Sequence, residues 1–378
     1  GLTTEWLLNY RSGSFLMDYS TNLESLLQIR GVSYEIITES EVAHIHETIE
    51  QNNMEIILLE KTPRIAVYVP PTNDPWDDAV RMALEYAEIP YTSLWDPEVL
   101  LGDLENYDWL HLHHEDFTGQ FGKFYASYRN EVWYKKMVAL SEKTARELGF
   151  KNVPQLKLAV TMKMKEYISS GGFLFAMCSA TDTYDIAQAA AGVDICDVPF
   201  DGTPPDPNYK AKLNYDNCLA FKDFDIITDP LVYEHSDIDV KPNRQAAASM
   251  MGSGASTDEF FRLFDFSAKY DPVPTMLTQN HTNSVPEYLG QNTAFKRSLI
   301  KNHVIIMGDY PGNDVAKYIH GNFGKGTFTF LGGHDPEDYA HYIGETPPDL
   351  EMHKNSPGYR LILNNVLFPA AKKQKQKT

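Results

Sequence analysis

Apolar and polar positions follow one another along this chain in a pattern that predicts strands separated by helices. The apolar runs at 64–69 and 172–177 are typical of buried strands. Between them, residues 75–89 place Val80 and Leu84 on one face of a predicted helix. Strands that alternate with helices are joined by right-handed crossovers. The pattern therefore predicts an α/β fold with a mostly parallel sheet, and a site at the carboxyl ends of its strands.

The same pattern divides the chain into a small unit and a large one. In the small unit, the segments EWLLNYRSGSFL, STNLESLLQIRG and VSYEIIT predict a strand, a helix and a strand. In the large unit, NHVIIMGDY, VAKYIHGNF and GTFTFLGG predict three late strands, the last two forming a hairpin around Gly324. The predicted parts are an N-terminal α/β unit at 1–62, a larger domain at 63–372 with a largely helical insertion at 117–152 and an irregular one at 200–300, and a basic tail at 373–378.

Charge and composition narrow the range of partners. The chain carries 33 basic and 52 acidic residues, a formal charge of -19 that disfavours phosphate backbones, so we expect no nucleic-acid partner. No apolar run approaches the roughly 18 residues needed to cross a bilayer, so no membrane span is predicted. Three cysteines are too few for a disulfide framework. Because the chain starts at Gly1 rather than Met, we expect a trimmed or processed N-terminus.

Cys178 follows a predicted strand and precedes a predicted helix. A nucleophile on such a tight turn needs small neighbours two residues away on each side, and Ala176 and Ala180 meet this requirement. The amides at the start of the following helix would lower the pKa of the thiol. We therefore expect a reactive cysteine. The alternative is an inert thiol at the end of a buried strand.

A second group of candidate residues follows the last predicted strand, in GKGTFTFLGGHDPEDY. His334 stands at the strand end and could act as a base toward a thiol, provided that a carboxylate fixes its tautomer. Asp335 and Glu337 are both within sequence reach of that role. The alternative is a surface loop in which these side chains are solvated.

A third group lies in HLHHED, at the end of the strand predicted around 107–112. His111 and His113 alternate onto one face of that strand. Together with Asp116 or Glu115 they could bind zinc, and a metal-activated water would then replace the cysteine as nucleophile. The alternative is that these histidines are hydrogen-bonded parts of a pocket wall.

The order of strands, helices, Cys178 and His334 resembles the class I glutamine amidotransferase-like superfamily, including its ThuA-like branch, over about 63–200 and 300–370. The resemblance implies a three-layer, flavodoxin-like fold with Cys178 as nucleophile, His334 as base, and Glu337 or Asp335 as the orienting acid. It also implies that a ligand would meet the residues around these positions, namely His113, His114, Glu115, Asp116, Ser179 and Asp182. This chain departs from the pattern in having alanines around the cysteine, and Pro336 where the acid is expected.

At closer range YDWLHLHHEDFTGQ, FAMCSATD, GGHDPEDY and SPGYRLILNNVLFPAAKK resemble a bacterial family that carries the label asparagine synthetase B, over nearly the whole chain. Members of that family commonly carry an export signal, which implies an exported protein, although a cytoplasmic one stays open. The residues do not support asparagine synthesis, because the chain lacks an N-terminal cysteine and a pyrophosphate loop.

The sequence thus leaves three hypotheses for function. The first is a cysteine-dependent amidase or amidotransferase-like hydrolase acting on a small molecule, with no cofactor. The second is a non-catalytic module that binds a small ligand, carbohydrate or peptide, since the aromatic insertion suits stacking. The third is a metal-dependent hydrolase built on His111, His113 and Asp116 or Glu115.

Overall fold

A computed structural model describes the protein at residues 4–72, 78–241, 260–288, 290–338 and 346–373. The predicted basic tail at 373–378 lies outside these residues except for its first position. The chain forms two compact units, the first made of residues 1–63, 265–283 and 360–378 and the second of residues 64–264 and 284–359. Residues 265–283 and 360–372, which the sequence analysis assigned to the larger domain, thus group with the first unit. None of the described helices is both long and apolar enough to cross a membrane.

The strands of the described residues are β1 (Thr4–Leu8), β2 (Ser14–Met17), β3 (Glu55–Leu59), β4 (Ile65–Tyr68), β5 (Thr92–Leu94), β6 (Trp109–Leu112), β7 (Phe173–Met177), β8 (Phe260–Leu263), β9 (Ser284–Pro286), β10 (Phe295–Lys296), β11 (Ile305–Asp309), β12 (Val315–Phe323) and β13 (Gly326–Leu331). The α-helices are α1 (Thr21–Ile29), α2 (Glu39–Gln51), α3 (Ala79–Tyr86), α4 (Asp96–Leu101), α5 (Tyr125–Tyr128), α6 (Val132–Glu147), α7 (Val153–Ser170), α8 (Ala180–Ala189), α9 (Val198–Asp201), α10 (Pro272–Thr278) and α11 (Pro357–Ala370).

The first unit is built on a three-stranded antiparallel sheet in the order β2-β1-β3. Trp6 and Leu8 of β1 and Ile57 of β3 are buried and pack with Ala268 and Met276 into a small core. Leu7, whose side chain points to the opposite face of β1, is buried as well, so this central strand is covered on both faces.

The prediction of a strand at residues 32–38 of this unit is wrong. Residues 32–38, VSYEIIT, form no strand, and nearly all of them are exposed. The β-branched and aromatic residues gave the segment a strand-like pattern. In the described part of the chain the sheet ends at β2 and β3 and gives this segment no pairing partner, so tertiary context overrides the local preference.

The second unit contains a ten-stranded mixed sheet. Its spatial strand order is β5-β4-β6-β7-β13-β12-β11-β8-β9, and β10 pairs with β12 outside this order. The first five strands of this order run parallel to one another, and the remaining pairs are antiparallel. The predicted hairpin around Gly324 is confirmed, since Phe323 of β12 pairs with Gly326 of β13. The chain is therefore an α/β protein in which five parallel strands carry the predicted site.

Capping residues mark both ends of α7. The Asn152 side chain accepts the backbone N–H of Gln155 at the start of α7, and the helix ends at Gly171, whose φ is 123°. The insertion at 117–152 is largely helical, as predicted, because α5 and α6 occupy much of it. The described residues of the insertion at 200–300 contain only short helices and short strands, which also agrees with the prediction.

A buried ion pair fixes α7 to the sheet. The Lys157 Nζ donates to both carboxylate oxygens of Asp96, at 2.9 Å each, and to the Tyr68 hydroxyl oxygen at 2.8 Å. Tyr68 itself donates to Asp96. Both charged side chains are almost completely buried, so water could not take the place of the partner if either side chain were removed.

We expect Lys157→Ala to lower the free energy of unfolding by about 3–5 kcal/mol, because it leaves the Asp96 carboxylate buried without its counter-charge. Lys163→Ala is the matched control on the same helix, since Lys163 pairs with Glu166 at the surface, where a pair contributes less than about 1 kcal/mol. Urea titration followed by circular dichroism measures both. Equal losses in the two variants would contradict the assignment of the buried pair.

Candidate functional site

Three loops that follow parallel strands meet at one edge of the sheet. The backbone N–H of Cys178, after β7, donates to the carbonyl oxygen of Gly333, after β13, at 3.0 Å. The N–H of Ala180 donates to the carbonyl oxygen of His113, after β6, at 3.1 Å. The segments at 113–114, 178–180 and 333–334 therefore converge, as their positions after neighbouring parallel strands predicted.

Cys178 occupies a strained turn between β7 and α8. Its φ is 49°, in the left-handed region that side chains other than glycine rarely adopt. Ala176 and Ala180, on either side, are completely buried, so larger side chains would not fit there. The conformation matches the sharp strand-to-helix turn that the sequence predicted.

The prediction of a lowered thiol pKa is wrong. Cys178 is 2% exposed, and this burial raises the pKa of its thiol to about 12. The Asp239 and Asp182 carboxylates add to the rise, while the backbone amides of Ser179 and Gln291 oppose it. Burial disfavours the thiolate more strongly than these amides stabilise it. The sequence could not show this, because Gln291 and Asp239 come from the irregular insertion.

Three histidines at this edge form a group whose side chains could hold a metal ion. The His334 ring lies 4.3 Å from the His113 ring and 5.5 Å from the His114 ring, measured between centroids. One nitrogen from each of the three rings lies within 4.8 Å of the other two. His113 is buried, whereas His114 and His334 are half-buried. The group thus has a side anchored in the protein and a side that solvent can reach.

The Asp78 carboxylate lies next to His113, at the buried side of this group. Its Oδ1 lies 3.5 Å from Nδ1 of His113 and 3.4 Å from Nε2 of His111, and it accepts the backbone N–H groups of Val80 and Arg81 at 2.8 and 2.9 Å. Burial alone would raise the pKa of Asp78, but the histidines and these hydrogen bonds bring it well below its usual range. Sequence reasoning missed Asp78, although a carboxylate that follows β4 at the same edge was a usable signal.

The alternative metal set of His111, His113 and Asp116 is not assembled. Nδ1 of His111 lies 3.2 Å from the Phe175 carbonyl oxygen and Nε2 lies 3.4 Å from Oδ1 of Asp78, so His111 and His113 group with Asp78 rather than with Asp116. Asp116 instead accepts the N–H groups of Thr118 and Gly122. Oδ2 of Asp116 also lies 3.3 Å from Nε2 of His235.

Two further predicted ligand-binding residues, Glu115 and Ser179, serve the loops themselves. Glu115 is buried and accepts the backbone N–H of His113 at 3.2 Å, and burial raises its pKa. The Ser179 hydroxyl donates to the His114 carbonyl oxygen at 2.7 Å. These contacts fix the histidine-bearing loop against the cysteine turn.

Two carboxylates, those of buried Asp182 and half-buried Asp239, act on Cys178. Asp182 accepts the Ser236 hydroxyl at 3.3 Å, and burial raises its pKa to about 6. Asp239 accepts the N–H groups of Asn292 and Thr293, and burial together with the Asp182 charge raises its pKa to about 7. Asp182 was a predicted site residue. No sequence signal pointed to Asp239, because it lies in a segment without periodic structure.

The two acids after His334 have partners outside the predicted triad. Asp335 accepts the Tyr359 hydroxyl at 2.8 and 3.0 Å, and burial raises its pKa to about 6. The Glu337 carboxylate lies 3.2 Å from Nδ1 of His353. The assignment of either acid as the orienting member of a triad stays a prediction.

We expect iodoacetamide to leave Cys178 unmodified in the native protein at about pH 8, because a thiol with a raised pKa and little exposure offers almost no thiolate. Peptide mass spectrometry locates and quantifies the label. In urea all three cysteines, which are buried in the native protein, should react and confirm that the reagent is active. Complete native labelling of Cys178 at about pH 7 would show that the thiol is activated after all.

Comparisons with known proteins add little to this description. No family model and no curated protein matches the chain. Among solved structures, two cytoplasmic proteins of Salmonella typhimurium align with 82% of this chain and 100% of their own, at TM-scores of 0.39 and identities of 9% and 11%. A Thermoplasma acidophilum protein that bears the name of a GMP synthase subunit aligns with 82% of this chain and 96% of its own, at a TM-score of 0.38 and 6% identity. Similarity this slight assigns neither a fold family nor a function to the chain.

Proposed function

We propose that the protein is a metal-dependent hydrolase of a small molecule, with a zinc-like ion bound by His113, His114 and His334. One observation carries the proposal: a nitrogen from each of these rings lies within 4.8 Å of the other two. Three imidazoles are a donor set that suits Zn²⁺, and catalytic zinc sites keep a fourth position for water. The two half-buried rings leave that position on the solvent side.

The surroundings of His113 support the same assignment. When Nδ1 of His113 donates toward Asp78, Nε2 carries the lone pair that a metal needs. A carboxylate behind a ligating histidine fixes the ring's tautomer and orientation. Asp78 is itself fixed by two backbone amides at the start of α3, so the support is rigid.

The proposed chemistry is hydrolysis by a bound water. A zinc ion held by His113, His114 and His334 would lower the pKa of a bound water to about 7 and would polarise a substrate carbonyl group. The substrate is a small molecule whose class, carbohydrate or peptide, stays open.

Cysteine acyl transfer is a second candidate function. It is favoured by the left-handed turn at Cys178 and by the Ser179 and Gln291 amides that act on its sulfur. Backbone N–H groups in this arrangement resemble the hydrogen-bond donors that stabilise the oxyanion formed during acyl transfer. The buried thiol with its raised pKa disfavours this mechanism, so we rank it behind the metal site.

Elemental analysis of protein purified without chelators tests the proposal. We expect about one zinc-like ion per chain, and at least a tenfold loss of metal affinity in His334→Ala and His114→Ala. His303→Ala is the control, because His303 is an exposed histidine outside the group. Chelator should lower the melting temperature of the wild type and of the control, but not that of the two site variants.

Cys178→Ser separates the two candidate functions. A metal-bound nucleophile should survive this substitution, so hydrolysis of a panel of activated esters and amides should persist. Loss of all activity with the metal retained would favour the cysteine. Absence of stoichiometric metal, together with no effect of chelator on melting, would remove the metal proposal and leave ligand binding without catalysis as the alternative.

A further inference from the structure

Exposed apolar side chains are concentrated in one stretch of the first unit. Seven large apolar residues between positions 15 and 36 expose between 37% and 79% of their surface, namely Phe15, Tyr19, Leu26, Ile29, Val32, Tyr34 and Ile36. We call this set the N-terminal apolar face. Single exposed apolar residues are normal, but a dense group of them marks an interaction surface.

Hydrogen bonds within the stretch hold its parts together. The Glu24 carboxylate of α1 accepts the Tyr19 hydroxyl at 2.8 Å and the Tyr34 hydroxyl at 2.9 Å. Gln28, one turn further along α1, donates to the Tyr34 hydroxyl at 2.8 Å. The helix and the segment after it therefore form one ordered surface. Within this ordered surface, α1 buries none of its residues.

The segment at 32–38 has the pattern of a strand, but the described residues of the chain offer it no strand partner. Val32, Tyr34 and Ile36 alternate with polar Ser33 and Glu35, which is typical of a strand with one buried face. An unpaired segment of this kind presents backbone donors and acceptors to another chain. The partner that fits it is thus a second strand with an apolar face.

The segment is complementary to itself. In an antiparallel pair centred on Tyr34, Val32 lies opposite Ile36 and Tyr34 lies opposite its own copy, so these three apolar side chains fall on one face, while Ile37 falls on the other. Glu35 then lies opposite Ser33, and like charges are not opposed. Such a register has the two-fold symmetry of an isologous dimer interface.

Area and charge favour a second copy over other partners. The seven side chains together expose roughly 700 Å² on the usual scale of side-chain areas. A stable interface buries about 800 Å² per partner, so the face has nearly the size that a dimer needs. A chain with a formal charge of -19 would be repelled by anionic lipid and nucleic acid.

We propose that the N-terminal apolar face is the interface of a two-fold homodimer, in which residues 32–36 pair antiparallel with the same residues of the second copy. The α1 helices extend the apolar contact beside this strand pair. The inference is independent of the proposed metal site, whose residues all belong to the second unit.

Sedimentation and light scattering of the full chain between about 1 and about 100 μM test the dimer. We expect a mass twice that of the 42.9 kDa chain at the upper concentrations. Ile29→Glu and Ile36→Glu should each weaken association at least 100-fold. Leu101→Glu and Met352→Glu are matched controls, since these apolar side chains are 81% and 79% exposed elsewhere and should leave association unchanged.

Two further measurements test the nature of the contact. Ser33→Pro leaves the apolar side chains in place but removes a ladder donor, so it should also weaken the dimer. Added salt should preserve or strengthen association, because it screens repulsion between two acidic copies. Circular dichroism and melting confirm that each variant is folded.

Several outcomes would overturn the proposal. A wild-type chain that stays monomeric at every concentration excludes the dimer, and so does a chain that instead binds neutral phosphatidylcholine vesicles through this face. Equal weakening by the control variants would place the interface elsewhere. A dimer that tolerates Ser33→Pro would exclude the strand pairing at Tyr34.

Discussion

The arrangement of the candidate site depends on the left-handed turn at Cys178. Because φ is positive there, the chain leaves β7 and enters α8 within two residues, with the N–H groups of Cys178 and Ala180 directed at the neighbouring loops. Those N–H groups bind the carbonyl oxygens of Gly333 and His113. Parallel pairing already places the ends of β6 and β13 on either side of the end of β7, and these two backbone hydrogen bonds hold the loops that carry the three histidines against the turn.

Loops of the irregular insertion determine what the turn can do chemically. The stretches at 233–239 and 290–293 bring Asp239 and the amide of Gln291 to the cysteine and exclude water from it. Lys317, buried on β12, donates to the carbonyl oxygens of Tyr288 and Thr293 and holds the second stretch in place. Burial lowers the pKa of Lys317 to about 7, so this support sits in the same low-dielectric region that raises the pKa values of the thiol and the acids.

Sequence reasoning identified the parallel strands, the turn and the convergence of Cys178 with His334, because these follow from local periodicity and from the rule that parallel strands end at one edge. It failed where the answer depends on burial. The sign of the thiol's pKa shift, the partner of Asp116 and the fate of residues 32–38 are all set by segments distant in sequence. Periodicity carries no information about which loop covers which side chain. The effect of Asp239 and Gln291, both in the irregular insertion, on Cys178 could therefore not be predicted.

Access to solvent separates the groups that could act at this edge. Cys178 lies at the bottom, where a charged thiolate would be costly, whereas His114 and His334 lie at the half-exposed rim. A neutral imidazole loses little on partial burial and keeps a lone pair for an ion. Asp78 lies at the buried side of this group, next to His113, whereas the half-buried side of the group faces solvent. The strained turn at Cys178 contributes to this arrangement through its backbone, because the N–H groups of Cys178 and Ala180 hold the neighbouring loops while the cysteine side chain itself stays buried.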